Sequence, residues 1–489
     1  MWIIPPEMFI FGVTIWVYVK FWYYVSIIRY LSYGSSVFTL IGIILFGAMA
    51  KEDFEKYKAA KKKEESAQTH YQKKRQPKDG LKFPVTTIEI NDHNAKQITT
   101  VNYLETDFLT LLATSSVMVF LTIQIINFYN KDSIKDINFA FSLELCVAIF
   151  ALHYLLKLTF EGGFFKTDES RLSLFFGILA LISSFFLLYL IPEHVDLCFP
   201  NAYQAIINRI NSAFTAIEVT FNIHYKYFCM IVAFIASLIS IGQATHAVDF
   251  AYYYHYVTRE ETEKALVRST KDKSFMHKLN LHITFICPLL IVILYIPALL
   301  ENYLVPTYIA SNFFEFLRTL FVLLYVIMKL IADKDHFQWK MLQSYAYIKA
   351  LPQNINDQYY TFMNNQLLKR QNQVWTMVLG YVSCAIIPVL MCLLLFHKGI
   401  YLLAPEKVES FDFFFLYQNK TETEKANPFE LENLTGILKE VNEKGLIPGV
   451  FYRGLCGFVI FWWMASYFLI SIFTLVYYRR FHRAPVKRN

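Results

Sequence analysis

Residues Trp375–Phe396 read WTMVLGYVSCAIIPVLMCLLLF, a run without a single charged side chain. A helix of this length, rising 1.5 Å per residue, crosses ~30 Å of hydrocarbon. Strands of a membrane barrel would alternate apolar and polar residues, and this run does not. Lipid admits only helices and closed barrels, because no water is there to satisfy backbone groups. The segment therefore reads as a spanning helix. Seven more blocks read the same way: Phe108–Tyr129, Ile137–Phe160, Leu172–Leu190, Tyr227–Phe250, Leu281–Leu300, Asn312–Ile331 and Phe451–Tyr478. Met8–Ile28, apolar apart from Lys20, adds a ninth. It lacks the basic start and small-residue cleavage site of a signal peptide. Ser36–Ala50 is apolar but short, which predicts a re-entrant or interfacial helix. The expected fold is all-α, a polytopic transmembrane bundle of about nine spans, within a range of eight to ten.

Composition agrees. Of 489 residues, 55% are apolar and 17% charged, where soluble domains carry ~45–50% and ~25%. Disorder as the main state and a single soluble domain are both excluded. Aromatic residues make up 18%, with 46 Phe and 33 Tyr against only 16 Gly. An aromatic-lined pathway or lipid site would explain this, and so would AT-rich codon usage. Of the seven cysteines, only Cys198 sits in a polar connection, and no CxxC occurs. Neither a disulfide framework nor a zinc site is expected.

The net charge of +7 bears first on sidedness. Connections on one side, including 51–107 and the tail 479–489, hold thirty Lys and Arg, and those on the other hold eight. The positive-inside rule puts the basic set in the cytosol. The expected organisation is an N-terminal segment 1–50, a cytosolic basic loop 51–107, a bundle 108–478 with an outer loop 404–448, and a cytosolic tail 479–489. The outer loop carries two glycosylation sequons, at Asn419 and Asn433. These features predict an integral glycoprotein of the secretory pathway, in the plasma membrane or an endomembrane. Its expected partners are the lipid bilayer and itself, as a homo-oligomer, with no nucleic acid.

Two amphipathic helices are predicted at the membrane surface. Tyr203, Ile206, Ile210, Phe214 and Ile217 share one helical face; Phe337, Met341, Tyr345 and Ile348 share another. Packing on the bundle ends would serve such stripes equally.

The sequence has no phosphate-cradling Gly-rich loop, no HExxH and no GxSxG. No enzyme activity and no cofactor are expected. His246 and Asp249, three residues apart, lack a third ligand nearby and make a weak metal motif. Most basic residues outside the loops, Lys329 among them, lie near span ends and can snorkel to water. Arg318 and Glu144 lie deeper. Arg318 is six residues past Asn312 and Glu144 seven past Ile137, about 9 and 10 Å in from the outer side. Glu315 sits one turn above Arg318. A mid-helix charge costs ~2.5–3.5 kcal/mol on insertion scales unless paired or hydrated. Glu144, Glu315 and Arg318 are therefore expected to form an outer polar cluster, either a packing device or a section of an ion or solute pathway. Pro288, Pro297 and Pro388 interrupt two spans and are expected to kink them.

Several stretches carry a resemblance. Phe451-Tyr452-Arg453-Gly454-Leu455, followed by Trp462-Trp463, looks like the last-helix pattern of the eukaryotic transmembrane protein 161 family. Leu281-His282-Ile283, then Phe285 and Pro288-Leu289, is similar to a second stretch of that family, and Phe314–Arg318 to a third. The pieces run in order along most of the chain. The resemblance implies a glycosylated multi-pass protein without established catalytic activity, linked to cell excitability and ion-current regulation.

Three functions follow as expectations. The first is modulation of ion flux, directly or through a channel. The second is lipid or small-solute transport or scrambling. The third is a self-associating structural protein.

Overall fold

The computed structural model describes residues 6–25, 36–40, 85–89, 103–129, 138–161, 168–197, 199–214, 223–258, 275–296, 311–350, 357–398 and 449–481. Among them run ten α-helices: α1 Pro6–Val25, α2 Tyr103–Tyr129, α3 Asn138–Phe160, α4 Asp168–Leu190, α5 Phe199–Phe214, α6 Tyr225–Thr258, α7 Phe275–Ile293, α8 Ser311–Ala350, α9 Asp357–Lys398 and α10 Gly449–Phe481. Seven of these are long and apolar enough to cross a membrane: α2, α3, α4, α6, α7, α9 and α10. The nine-span expectation also counted α1 and α8. The described apolar stretch of α1 is only Met8–Tyr18, and α8 carries Arg318, Lys329 and Asp333 along its apolar stretch.

Helix α9 is the axis of the bundle. Of its apolar window 94% is buried, against 33% for α3 and for α4. It packs on α2, α3, α8 and α10, while α6 packs on α3, α4 and α10. The peripheral helices turn large apolar residues outward. On α4, Phe175, Ile178, Leu179, Ile182 and Phe186 form an exposed stripe at helical spacing. A soluble protein would hide such a stripe, whereas a bilayer solvates it. Helices α7 and α9 continue through Pro288 and Pro388 without a break in the helical assignment.

Two sequence expectations are corrected. Ser36–Leu40, expected to begin a re-entrant or interfacial helix, is strand β1, paired antiparallel with β2, Val85–Glu89. Strand β1 packs on α8. Val, Phe and Thr dominate β1, residue types that favour the pleated surface over the helix, while its partner lies far off in sequence. The rest of that apolar run, 41–50, lies outside the described residues. The second correction is the predicted surface helix around Phe337, which is the continuation of α8, 40 residues long. No Gly or Pro separates Ile331 from Phe337, so nothing ends the helix there. Phe337 is fully buried in the bundle.

The other predicted amphipathic stretch forms α5. Its Phe199 and Ala202 are buried, while Asn201, Gln204 and Asn208 are exposed. Phe199 stacks on Phe228 of α6 at 5.1 Å and meets Phe458 of α10 at 5.9 Å between ring centroids. Ile217 lies outside the described residues.

Candidate functional site

Read along α8, the residues Arg318, Val322, Tyr325, Lys329, Asp333 and His336 recur every three or four positions and are all buried. This spacing puts them on one face of the helix. Here the face that would be apolar in an ordinary bundle helix carries five ionisable groups, Arg318, Tyr325, Lys329, Asp333 and His336, directed into the bundle.

The first level is Arg318. Its Nη2 donates to Asp196 Oδ2 at 2.8 Å and to the carbonyl of Leu294 at 2.9 Å. The guanidinium lies over Tyr295 at 4.2 Å and Phe314 at 4.9 Å. Leu294 lies at the carboxyl end of α7, where carbonyls lack helical partners. Asp196 sits in the connection after α4, and its own N–H donates to Tyr295 O at 2.9 Å. Arg318 thus ties α8 to α7 and to the α4–α5 connection.

The sequence expectation gave Arg318 two acidic partners, Glu144 and Glu315. Glu144 is fully buried on α3 and within electrostatic reach of Cys456 on α10. Glu315 is on α8, but its side chain lies outside the described set. Among the described residues, Asp196 supplies a carboxylate bonded to the guanidinium, a partner that sequence reasoning missed. A polar residue in a polar connection gives no depth signal.

The second level is Lys329. It was expected to snorkel near a span end, but α8 does not end there. Its ammonium, on a residue only 6% exposed, is paired with Asp333 one turn on. Three rings from three other helices surround it: Phe250 of α6 at 4.4 Å, Tyr467 of α10 at 5.6 Å and Tyr381 of α9 at 6.0 Å. Tyr381 Oη is 3.1 Å from His336 Nδ1. His246 of α6 flanks Tyr381, with ring centroids 5.7 Å apart. Asp333 Oδ2, Tyr467 Oη, His336 Nε2, His246 Nδ1 and Trp339 Nε1 are buried with no hydrogen-bond partner among the described residues. Buried polar atoms are nearly always bonded to protein or water, so this concentration marks the level as unusual.

Further along α8, Lys340 pairs with Asp249 at 2.6 Å and His277 of α7 with Asp335 at 2.6 Å. His246 and Asp249, paired in the weak metal motif, therefore face different partners. The stripe was legible in sequence as a 3–4 repeat. A hydropathy count, which treats each charge separately, does not see it.

The remaining residues singled out in sequence hold helices together. Trp462 Nε1 donates to Ala236 O at 3.1 Å and Ser240 Oγ at 3.0 Å, both on α6. Gln243 Nε2 reaches back to Trp463 O at 3.3 Å and to Ser466 Oγ. Gly454 lets α5 approach α10: a Cβ there would lie 2.8 Å from Ala202 Cβ and 3.3 Å from Leu197 O. Its neighbour Arg453 is half-buried. His282 Nδ1 lies 2.8 Å from Tyr254 Oη, and Pro288 is buried within α7. Asn419 and Asn433 lie outside the described residues.

The family described as predicted transmembrane protein 161AB matches residues 26–482 of the chain. No match was found among curated proteins or among solved structures.

Proposed function

Because the chain belongs to the transmembrane protein 161AB family over nearly its whole length, we propose that this multi-pass membrane protein is non-enzymatic and modulates ion flux or membrane excitability, directly or through a channel partner. The observation that carries this reading is the Lys329–Asp333 pair, enclosed by four helices of the bundle. Ionisable groups inside a membrane bundle are expensive, and they characteristically serve ion paths, sensors or relays. In this reading Glu144, Glu315 and Arg318 form the outer polar level, and the Lys329 level lies toward the cytosol. That orientation is supported by the thirty-to-eight bias of basic residues. The loop 404–448, with Asn419 and Asn433, is then outer and glycosylated. The test compares whole-cell currents in cells lacking the protein, with and without its return. A restored or altered current is expected. Identical currents would remove the reading.

A second reading, lipid or small-solute movement, has its own support. A groove of about 280 Å³ opens between α2, α8 and α9, lined by Ala113, Val117, Val326, Leu330, Ala385 and Val389 among others. Thr110 and Thr114 also face it, but their hydroxyls donate back to Thr106 O and Thr110 O at 2.7 and 2.9 Å. A wall that offers only hydrocarbon suits an acyl chain. Dye-labelled lipid scrambling in liposomes separates the two readings.

A further inference from the structure

The cage around Lys329 has the chemistry of a binding site. It combines one carboxylate, Asp333, with the faces of Phe250, Tyr467 and Tyr381 within about 6 Å of a cationic nitrogen. Rings in this arrangement attract ammonium-type cations through their quadrupoles, and a carboxylate fixes the sign. The cage also offers more than a tethered ammonium uses. Asp333 Oδ2 and Tyr467 Oη remain buried without a partner among the described residues.

We infer that Asp333 and these three rings form a monovalent-cation site, which Lys329 fills as a tethered ammonium and which an external ammonium-type cation fills once that tether is removed.

Charge selects the class of ligand. Asp333 with one monovalent cation is neutral, as it is with Lys329. A divalent ion would leave a net charge in a desolvated site, which is strongly unfavourable. Further along α8, Asp335, about one-third exposed, and Lys340, paired with Asp249, continue the polar residues toward the carboxyl end of the helix. The inference rests on the ion-flux reading only for its consequence: Lys329 would be a built-in occupant that holds a cation route closed.

The test uses the full-length protein in detergent, with methylammonium as the probe and sodium as the control. Lys329→Ala empties the cage and leaves Asp333 unpaired. It is expected to unfold at a lower temperature than the wild type, and methylammonium is expected to restore it saturably. Wild type, whose cage is filled, and the double variant Lys329→Ala/Asp333→Asn should show no such saturable shift. An absent shift in Lys329→Ala overturns the inference, as does an equal shift in all three proteins. Should Lys329→Ala fail to fold in plain buffer, it is purified in methylammonium or in sodium. Monodisperse protein with methylammonium alone supports the site, and none in either salt overturns it. Methylammonium flux into liposomes through Lys329→Ala is measured separately. Saturable rescue without flux keeps the site and removes only the flux reading.

Discussion

The imidazole of His246 lies against the α-carbon of Gly380. A Cβ on residue 380 would fall 2.0 Å from both His246 Cε1 and His246 Nε2. Helices α6 and α9 meet there only because position 380 has no side chain. Gly380→Ala must displace the ring, and overpacking of this kind costs ~1–3 kcal/mol. Thermal unfolding should show the loss, and His246→Ala in the same chain should recover most of it, the coupling expected of touching residues. A Gly380→Ala protein as stable as wild type would contradict the packing.

Arg318 and Asp196 have side chains only 5% and 12% exposed. Removing one member of a buried pair strands the other, at ~3–5 kcal/mol. Arg318→Met and Asp196→Asn should each lower the unfolding temperature, and the double variant should lose much less than the sum. Arg318→Lys should not substitute, because a point charge cannot reproduce a planar guanidinium that bonds Asp196 and Leu294 O while lying over Tyr295.

Gly454→Ala brings a methyl against Ala202, and Ala202→Gly takes one away. The first should destabilise by ~1–3 kcal/mol, and the pair together should return toward wild type. A double variant no better than Gly454→Ala would show that α5 does not depend on this approach. The readout is thermal unfolding followed by intrinsic fluorescence.

Sidedness is checked on the loop that the charge bias assigns outside. Enzymatic deglycosylation should increase the gel mobility of protein from a secretory membrane. Asn419→Gln/Asn433→Gln should reproduce the faster band. Unchanged mobility in both would refute an outer, glycosylated loop.

The spans were legible because each is a long apolar run, and a membrane imposes that pattern on every crossing helix. Trp375–Phe396 is the clearest case and proved the most enclosed helix. Legibility failed wherever the decisive partner is distant. Nothing near Ser36–Leu40 announces Val85–Glu89. Asp196 carries no mark of its bond to Arg318, and Gly380 none of His246. Lys329 was misread for another reason. Its position relative to the end of the apolar run suggested an interface, but α8 runs on, and the face of the helix decides where the ammonium goes. Trp462-Trp463 and Gly454 were noticed as a family pattern, and the structure supplies their physical content as a donor, an acceptor and a missing side chain.

The unbroken course of α8 has a mechanical consequence. Arg318 and Lys329 are eleven residues apart on one continuous helix, which at 3.6 residues per turn is three turns with about 20° of offset. Between these points the helix has no Gly or Pro, the usual sites of a kink. If it turns, both side chains swing together; if it slides, both shift by the same amount. A displacement of α8 that drew Arg318 from Asp196 would therefore also shift Lys329 against the rings of its cage.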